Sequence, residues 1–244
     1  MTTNCSFKRW SRSIFSSKTN LQISRHHQAK KYELHKGYVD ENDYEIGKWA
    51  VCDTRRSLGQ LQQYLFDAFL RVRIPVVRVS PFDFIVDEEN FSDLFKRLEF
   101  LLARGFVPML HGDVLLDKKK HWRIFSGDDL LLKLSEYFRP RLCVFLTSVN
   151  GILRADGTVI EQFYVDQTEF DSLENSSNNI DVTGSMKNKM MICSDIVKKL
   201  PACQVFILHA ASENAKKLLI NSIEQISTSF FPGSTRIMMK KKDE

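Results

Sequence analysis

Acidic residues are absent from the first 32 positions of this 244-residue chain; Glu33 is the first. The same stretch holds seven of the 35 basic side chains (Lys8, Arg9, Arg12, Lys18, Arg25, Lys30 and Lys31), which leaves 28 against 30 acids in the rest. The formal charge of +5 therefore belongs to one end, the body is near neutral, and a basic face for nucleic acid is not expected. Long apolar runs are missing as well: none approaches the ~20 residues of a membrane span. Paired cysteine spacing is a third absence. The five cysteines (Cys5, Cys52, Cys143, Cys193, Cys203) are odd in number and scattered, without CxxC. This argues against a disulfide framework or a zinc site, and for reduced, buried thiols in a cytosolic protein. No internal repeat is visible. What is present is 43% hydrophobic residues, enough for a substantial core, expected as one domain.

Residues 1–25, "MTTNCSFKRWSRSIFSSKTNLQISR", are Ser-rich and basic. That is the composition of a transit peptide, and equally of a terminus outside the fold, disordered or divergent. The domain is expected over 26–244, in the cytoplasm, with a mitochondrial location as the alternative that a transit peptide would bring. Regular patterning follows. Residues 57–70 place Leu58, Leu61, Leu65 and Phe69 on one helical face, and "IPVVRV" (74–79) reads as a buried strand. Phe91, Leu94, Phe95, Leu98, Leu101 and Leu102 keep a helical period until Gly105 stops it. "FVPML" then reads as a strand and "RIF" as a short second one, joined by a polar link "LLDKKKHW". A helix carrying Leu130, Leu134 and Phe138 starts at Ser126-Gly127-Asp128, where Ser126 or Asp128 can cap it. "LCVFL", a helix from about Thr183 to Leu200, "QVFIL", a helix around Asn214 to Ile223 and "TRIMM" complete the series. Strands alternating with helices predict an α/β fold, an open αβα sandwich on a mostly parallel sheet.

In such a sheet, ligands bind beyond the carboxyl ends of the strands, where loops enter helices. Two Gly-Asp turns fall there, His111-Gly112-Asp113 and Ser126-Gly127-Asp128. Glycine lets backbone N–H groups approach an anion, and a helix amino terminus adds a favourable dipole, so Gly112 and Gly127 are candidate phosphate cradles. Either pair alone equally makes an ordinary turn. "DVTGSMKNK" (181–189) places Lys187 and Lys189 at a helix start, against the helix dipole; bound polyphosphate or a solvated surface would each account for them. "RHHQAKKYELHKG" (25–37) is dense in His and Lys, has no zinc-ligand spacing, and is left unexplained by composition.

Taken in order, "HHQAKKYELHKG", "IPVVRVSPF", "VPMLHGDVLLD", "FSGDDLLLKLS", "VFLTSVNGIL", "DVTGSMKNK" and "GSTRI" resemble the isopentenyl phosphate kinase family of the amino acid kinase superfamily. The resemblance runs from about residue 26 to the end. It implies transfer of the ATP γ-phosphoryl group to isopentenyl phosphate, with Mg²⁺, in a homodimer, without nucleic-acid or membrane partners. An acceptor that is already an anion needs alignment and cations more than a strong base. The resemblance makes His26 the acceptor-phosphate histidine, and Gly112, Asp113 and Gly127 the turns around that phosphate. Asp128 would organise lysines, with His26, Asp128 and Lys187 as the catalytic set. Thr147, Gly151, Gly184, Lys187 and Lys189 fall on the nucleotide side, and Leu58 and Leu61 on the pocket for the five-carbon tail. No protein-held metal is implied.

Departures accompany the likeness. The family opens with a strand ending in Lys-x-Gly-Gly-Ser, and this sequence has no such motif, so the first β-α unit is expected to be missing or replaced. Ser24 and Arg25 stand where Phe and Gly are expected, Ser148 and Asn150 replace two acids, and Ser185 replaces a glycine. Losing one phosphate donor can cost about 10²- to 10³-fold in rate. The alternative to an active kinase is therefore an inactive or truncated relative that binds phosphate ligands or a partner subunit.

Overall fold

Strand β6 (Leu142–Thr147) sends Leu142 and Val144 into one apolar cluster and Cys143 and Phe145 into another, as the two-residue period of a strand requires. β10 (Gln204–His209) repeats the pattern, with Phe206 and Leu208 on the first side and Val205 and Ile207 on the second. A sheet apolar on both faces must be covered on both, and the helices do so. Helix α4 (Gly184–Lys199) brings Met190, Cys193, Ile196 and Val197 to one face. On the other face, α5 (Glu213–Ile220) supplies Ala215 and Leu218, and α6 (Ile223–Thr228) supplies Ile226.

The computed structural model describes residues 13–17, 34, 41–85, 90–119, 121–154, 156–165, 180–181, 184–221, 223–229 and 231–239. The chain divides into two compact units, one of Met1–Lys18 with Leu131–Glu244 and one of Thr19–Leu130. The first unit holds the sheet just described. Its strand order is β1 (Ser13–Ser17), β6, β10, β11 (Thr235–Met239), β8 (Gln162–Val165), and β7 (Leu153–Arg154) and β9 (Ile180–Asp181) form a separate antiparallel pair. β1, β6 and β10 run parallel; β11 is antiparallel to β10 and parallel to β8. The expected mostly parallel αβα sheet is thus present, with a reversal at β11 that alternation alone did not disclose. The first β-α unit was expected to be missing or replaced and residues 1–25 to lie outside the domain; instead Ser13–Ser17 is a strand of the sheet, paired with Leu142–Leu146 residue for residue.

In the second unit, β2 (Val76–Arg78) and β3 (Val107–Met109) pair in parallel across helix α2 (Ser92–Ala103). Leu94, Leu98 and Leu101 form the buried face of α2. The helix ends as the glycine signal predicts: Gly105 takes φ 89°, its N–H reaches the Leu102 carbonyl at 3.1 Å, and the Phe106 N–H reaches that of Leu101 at 3.0 Å. The hairpin differs from the expectation. β4 (Asp113–Asp117) pairs antiparallel with β5 (His121–Phe125), so "LLD" is strand and the link is only residues 118–120; β3 pairs with β2 instead. Helix α1 (Glu41–Arg71) is far longer than residues 57–70. Its buried positions Gly47, Ala50, Val51, Thr54, Leu58 and Gln62 recur at helical spacing, but glycine, alanine and two polar residues break the apolar signal. At Gly47 the reason is visible: a β-carbon would lie 1.8 Å from the Trp122 ring.

Candidate active site

The two Gly-Asp turns belong to the Thr19–Leu130 unit and pack backbone against backbone. A β-carbon built on Gly112 would meet the Gly127 nitrogen at 2.4 Å and the Phe125 carbonyl oxygen at 2.7 Å. Close approach therefore requires glycine at 112. Gly127 differs, because the nearest atom to a β-carbon there is the Gly112 nitrogen at 3.6 Å. It opens helix α3 (Gly127–Phe138), whose first turn carries Asp128 and Asp129. Ser126 is the cap: its Oγ accepts the Asp129 N–H at 3.0 Å and donates to the Asp129 carboxylate at 2.5 Å. The remaining first-turn amides of α3 and the Gly112 backbone share one small region, an arrangement suited to an anion.

Asp113 is turned inward. Its side chain is fully buried, its Oδ1 accepts the Val114 N–H at 2.8 Å, and Oδ2 accepts from the Ser80 hydroxyl at 3.3 Å. Arg55 Nε lies 3.4 Å from Oδ1, while the Arg55 Nη2 donates to Ser80 Oγ at 2.8 Å. His111 Nδ1 sits 2.9 Å from the Gly112 carbonyl oxygen, so that nitrogen carries the proton when it bonds there. Arg55, Ser80 and His111 escaped the sequence reading. Arg55 and Ser80 carried no local signal, since their contacts join segments distant in sequence.

Asp128 is buried at the head of α3. Leu58 is buried and Leu61 half-buried on α1. His26 lies outside the described residues.

The residues expected on the nucleotide side belong to the other unit. Thr147 ends β6 and pins the following turn: its hydroxyl donates to the Val149 carbonyl at 2.6 Å and accepts the Val149 N–H at 3.2 Å. Gly151 packs on the start of β11, where a β-carbon would meet Thr235 Oγ1 at 2.5 Å. That hydroxyl also accepts the Ile152 N–H at 2.8 Å across 83 residues, so "TSVNG" and "GSTRI" meet in space. Ser148 and Asn150 are exposed on this turn. Gly184 begins α4.

Lys187 and Lys189 part company. Two helical positions apart means about 200° around the axis, so the two side chains leave the helix on opposite sides. Lys187 is exposed, whereas Lys189 is 2% exposed with Nζ 4.7 Å above the Phe145 ring centroid. Among the described residues no three His, Cys, Asp or Glu side chains gather into a metal site.

The sequence profile of the amino acid kinase family matches residues 19–209. The chain belongs to that family. Several curated relatives are isopentenyl phosphate kinases. That of Methanocaldococcus jannaschii is 29% identical over 210 residues, 84% of this chain and 76% of that protein. The Arabidopsis thaliana enzyme is 27% identical over 220 residues, 80% of this chain and 64% of its own. Among solved structures, an isopentenyl phosphate kinase substrate complex superposes with a TM-score of 0.66 at 18% identity, covering 95% of this chain and 88% of that one. A carbamate kinase from Giardia lamblia reaches 0.52 at 12% identity, covering 93% of this chain and 83% of that one. The amino acid kinase fold is therefore shared. No helix among the described residues is long and apolar enough to cross a membrane.

Proposed function

We propose that this amino acid kinase transfers the γ-phosphoryl group of ATP to isopentenyl phosphate, giving isopentenyl diphosphate for isoprenoid synthesis. The observation that carries this reading is the contact of the two Gly-Asp turns at the head of α3, in a chain whose relatives are isopentenyl phosphate kinases. In this proposal the Gly112 and Gly127 amides hold the acceptor phosphate and His26 adds a contact to it. Leu58 and Leu61 belong to the wall against the five-carbon tail. Asp113 acts from beneath the turn, since its carboxylate is occupied by Ser80, Arg55 and the Val114 amide.

On the nucleotide side, Thr147 and Gly151 shape the turn that carries the phosphates, and Gly184 opens the helix toward them. Lys189, rather than exposed Lys187, is the inward cation that offsets charge on the transferred group, and Asp128 belongs to the catalytic set with it. Magnesium travels with ATP, held chiefly by phosphate oxygens and water, so no protein cage is required. The protein's own contribution is alignment of acceptor oxygen, phosphorus and leaving oxygen, with N–H groups and cations in place of water. A homodimer and a cytoplasmic location belong to the same proposal.

A coupled assay of ADP release with ATP, magnesium and isopentenyl phosphate, with a no-acceptor control, tests this. Acceptor-dependent turnover, with isopentenyl diphosphate seen by ³¹P NMR, is expected. No turnover by folded protein would favour a second reading, a phosphate-binding protein without catalysis. The exposed Ser148 and Asn150, where the family pattern carries acids, are the observation on that side.

A further inference from the structure

Asp113 presents a physical puzzle. A carboxylate with no exposed side-chain surface is costly to bury, and an apolar residue of similar size would serve packing as well. Its surroundings show what the charge does. Arg55 comes from the middle of α1, Ser80 from the segment after β2, and Asp113 directly follows the cradle glycine. The Arg55 guanidinium is gripped in turn: it lies 3.9 Å over the Phe82 ring, 3.4 Å from Asp83 Oδ1, and donates to Ser80 Oγ. Ser80 passes that hold on to Asp113. Through Asp113 the clamp reaches the backbone of residues 112–114, and Gly112 has no slack, because its backbone already touches that of Ser126 and Gly127.

We infer that Arg55 and Ser80 are positioning residues of the acceptor cradle, fixing through Asp113 where the Gly112 and Gly127 amides stand. The inference rests on the kinase reading for its consequence in catalysis, and on geometry alone for its effect on the turn. A shift of about 1 Å in such a cradle can cost 10²-fold in rate without touching the reacting groups. Arg55→Lys keeps the charge and loses the fork that joins Ser80 to Asp113; Arg55→Met loses both.

The test measures two things on the full chain, wild type against both variants. Hydrogen exchange of the amides at 111–114 and 126–128 is expected to accelerate in Arg55→Met and partly in Arg55→Lys, with β6 and β10 unchanged. The acceptor kcat/KM is expected to fall at least tenfold while the KM for ATP stays within about twofold. Unchanged exchange at the two turns overturns the inference, as does accelerated exchange with an unaltered acceptor kcat/KM. If Arg55→Met does not fold, Arg55→Lys decides by the same readouts. If wild type shows no isopentenyl phosphate turnover, the kinase reading fails, and the exchange data still decide whether Arg55 holds the turn.

Discussion

The amide nitrogen of Gly127 lies where a β-carbon on Gly112 would come within 2.4 Å of it. Two turns that look alike in sequence are therefore under different demands. One glycine is required by its neighbour; the other has room.

That difference separates folding from binding. Gly112→Ala is expected to destabilise by about 1–3 kcal/mol, because the atoms it meets are backbone and cannot rotate away. Gly127→Ala, with 3.6 Å of clearance, is expected to melt within about 1 kcal/mol of wild type, yet raise the acceptor KM at least tenfold as the methyl enters the cradle. Thermal melts and acceptor titrations check both. An unaltered KM in Gly127→Ala would leave the turns as packing alone.

The two lysines of α4 should behave unequally. Lys189→Met is expected to lower kcat by about 10²-fold or more, as loss of a cation from the transferred phosphate does. Lys187→Met, at an exposed position on the other side of the helix, should stay within about threefold. Steady-state kinetics with saturating ATP distinguish the two, and equal losses would contradict the burial argument.

Lys199 donates a hydrogen bond to Glu136, which raises its pKa above the ordinary 10.5; the charges of Glu136 and Asp195 add to this. A lysine whose folded pKa is raised contributes stability that is whole below 10.5 and disappears as pH climbs through the higher folded value. Both side chains are partly exposed, so Lys199→Met is expected to cost only about 0.2–1 kcal/mol at neutral pH. Melting wild type and variant at pH 7 and well above 10.5, in low and high salt, should show the gap shrinking with either change. A gap that persists above the lysine's titration would point to packing of its stem instead.

The three central strands of the sheet were legible, β6 and β10 because both of their faces are buried; the outer strands β1 and β8 were not read from the sequence. "LCVFL" is apolar throughout and "QVFIL" is polar only at its first residue, Gln204, and α4 and Gly105 announced themselves by period and by stop. Helix α1 was half hidden, since Gly47, Thr54 and Gln62 occupy buried positions that an apolar search skips. The reversal at β11 has no local signature, because direction is set by what a strand pairs with. At the site, the motif glycines and lysines could be picked out by type and position. Whether a lysine faces in or out could not, and neither could the bond from Ser80 to Asp113 across 33 residues.

The meeting of Gly151 with Thr235 has a bearing on the order of events as the chain is made. The turn after β6 is short and local, but the hydroxyl that holds the Ile152 amide arrives 83 residues later. Closing so long a loop must be paid in entropy before any contact repays it, and such contacts form late. Strands β6 and β10 can align while the turn between Thr147 and Ile152 is still unfastened. The turn that Thr147 begins therefore depends on β11, distant in sequence, as its latch.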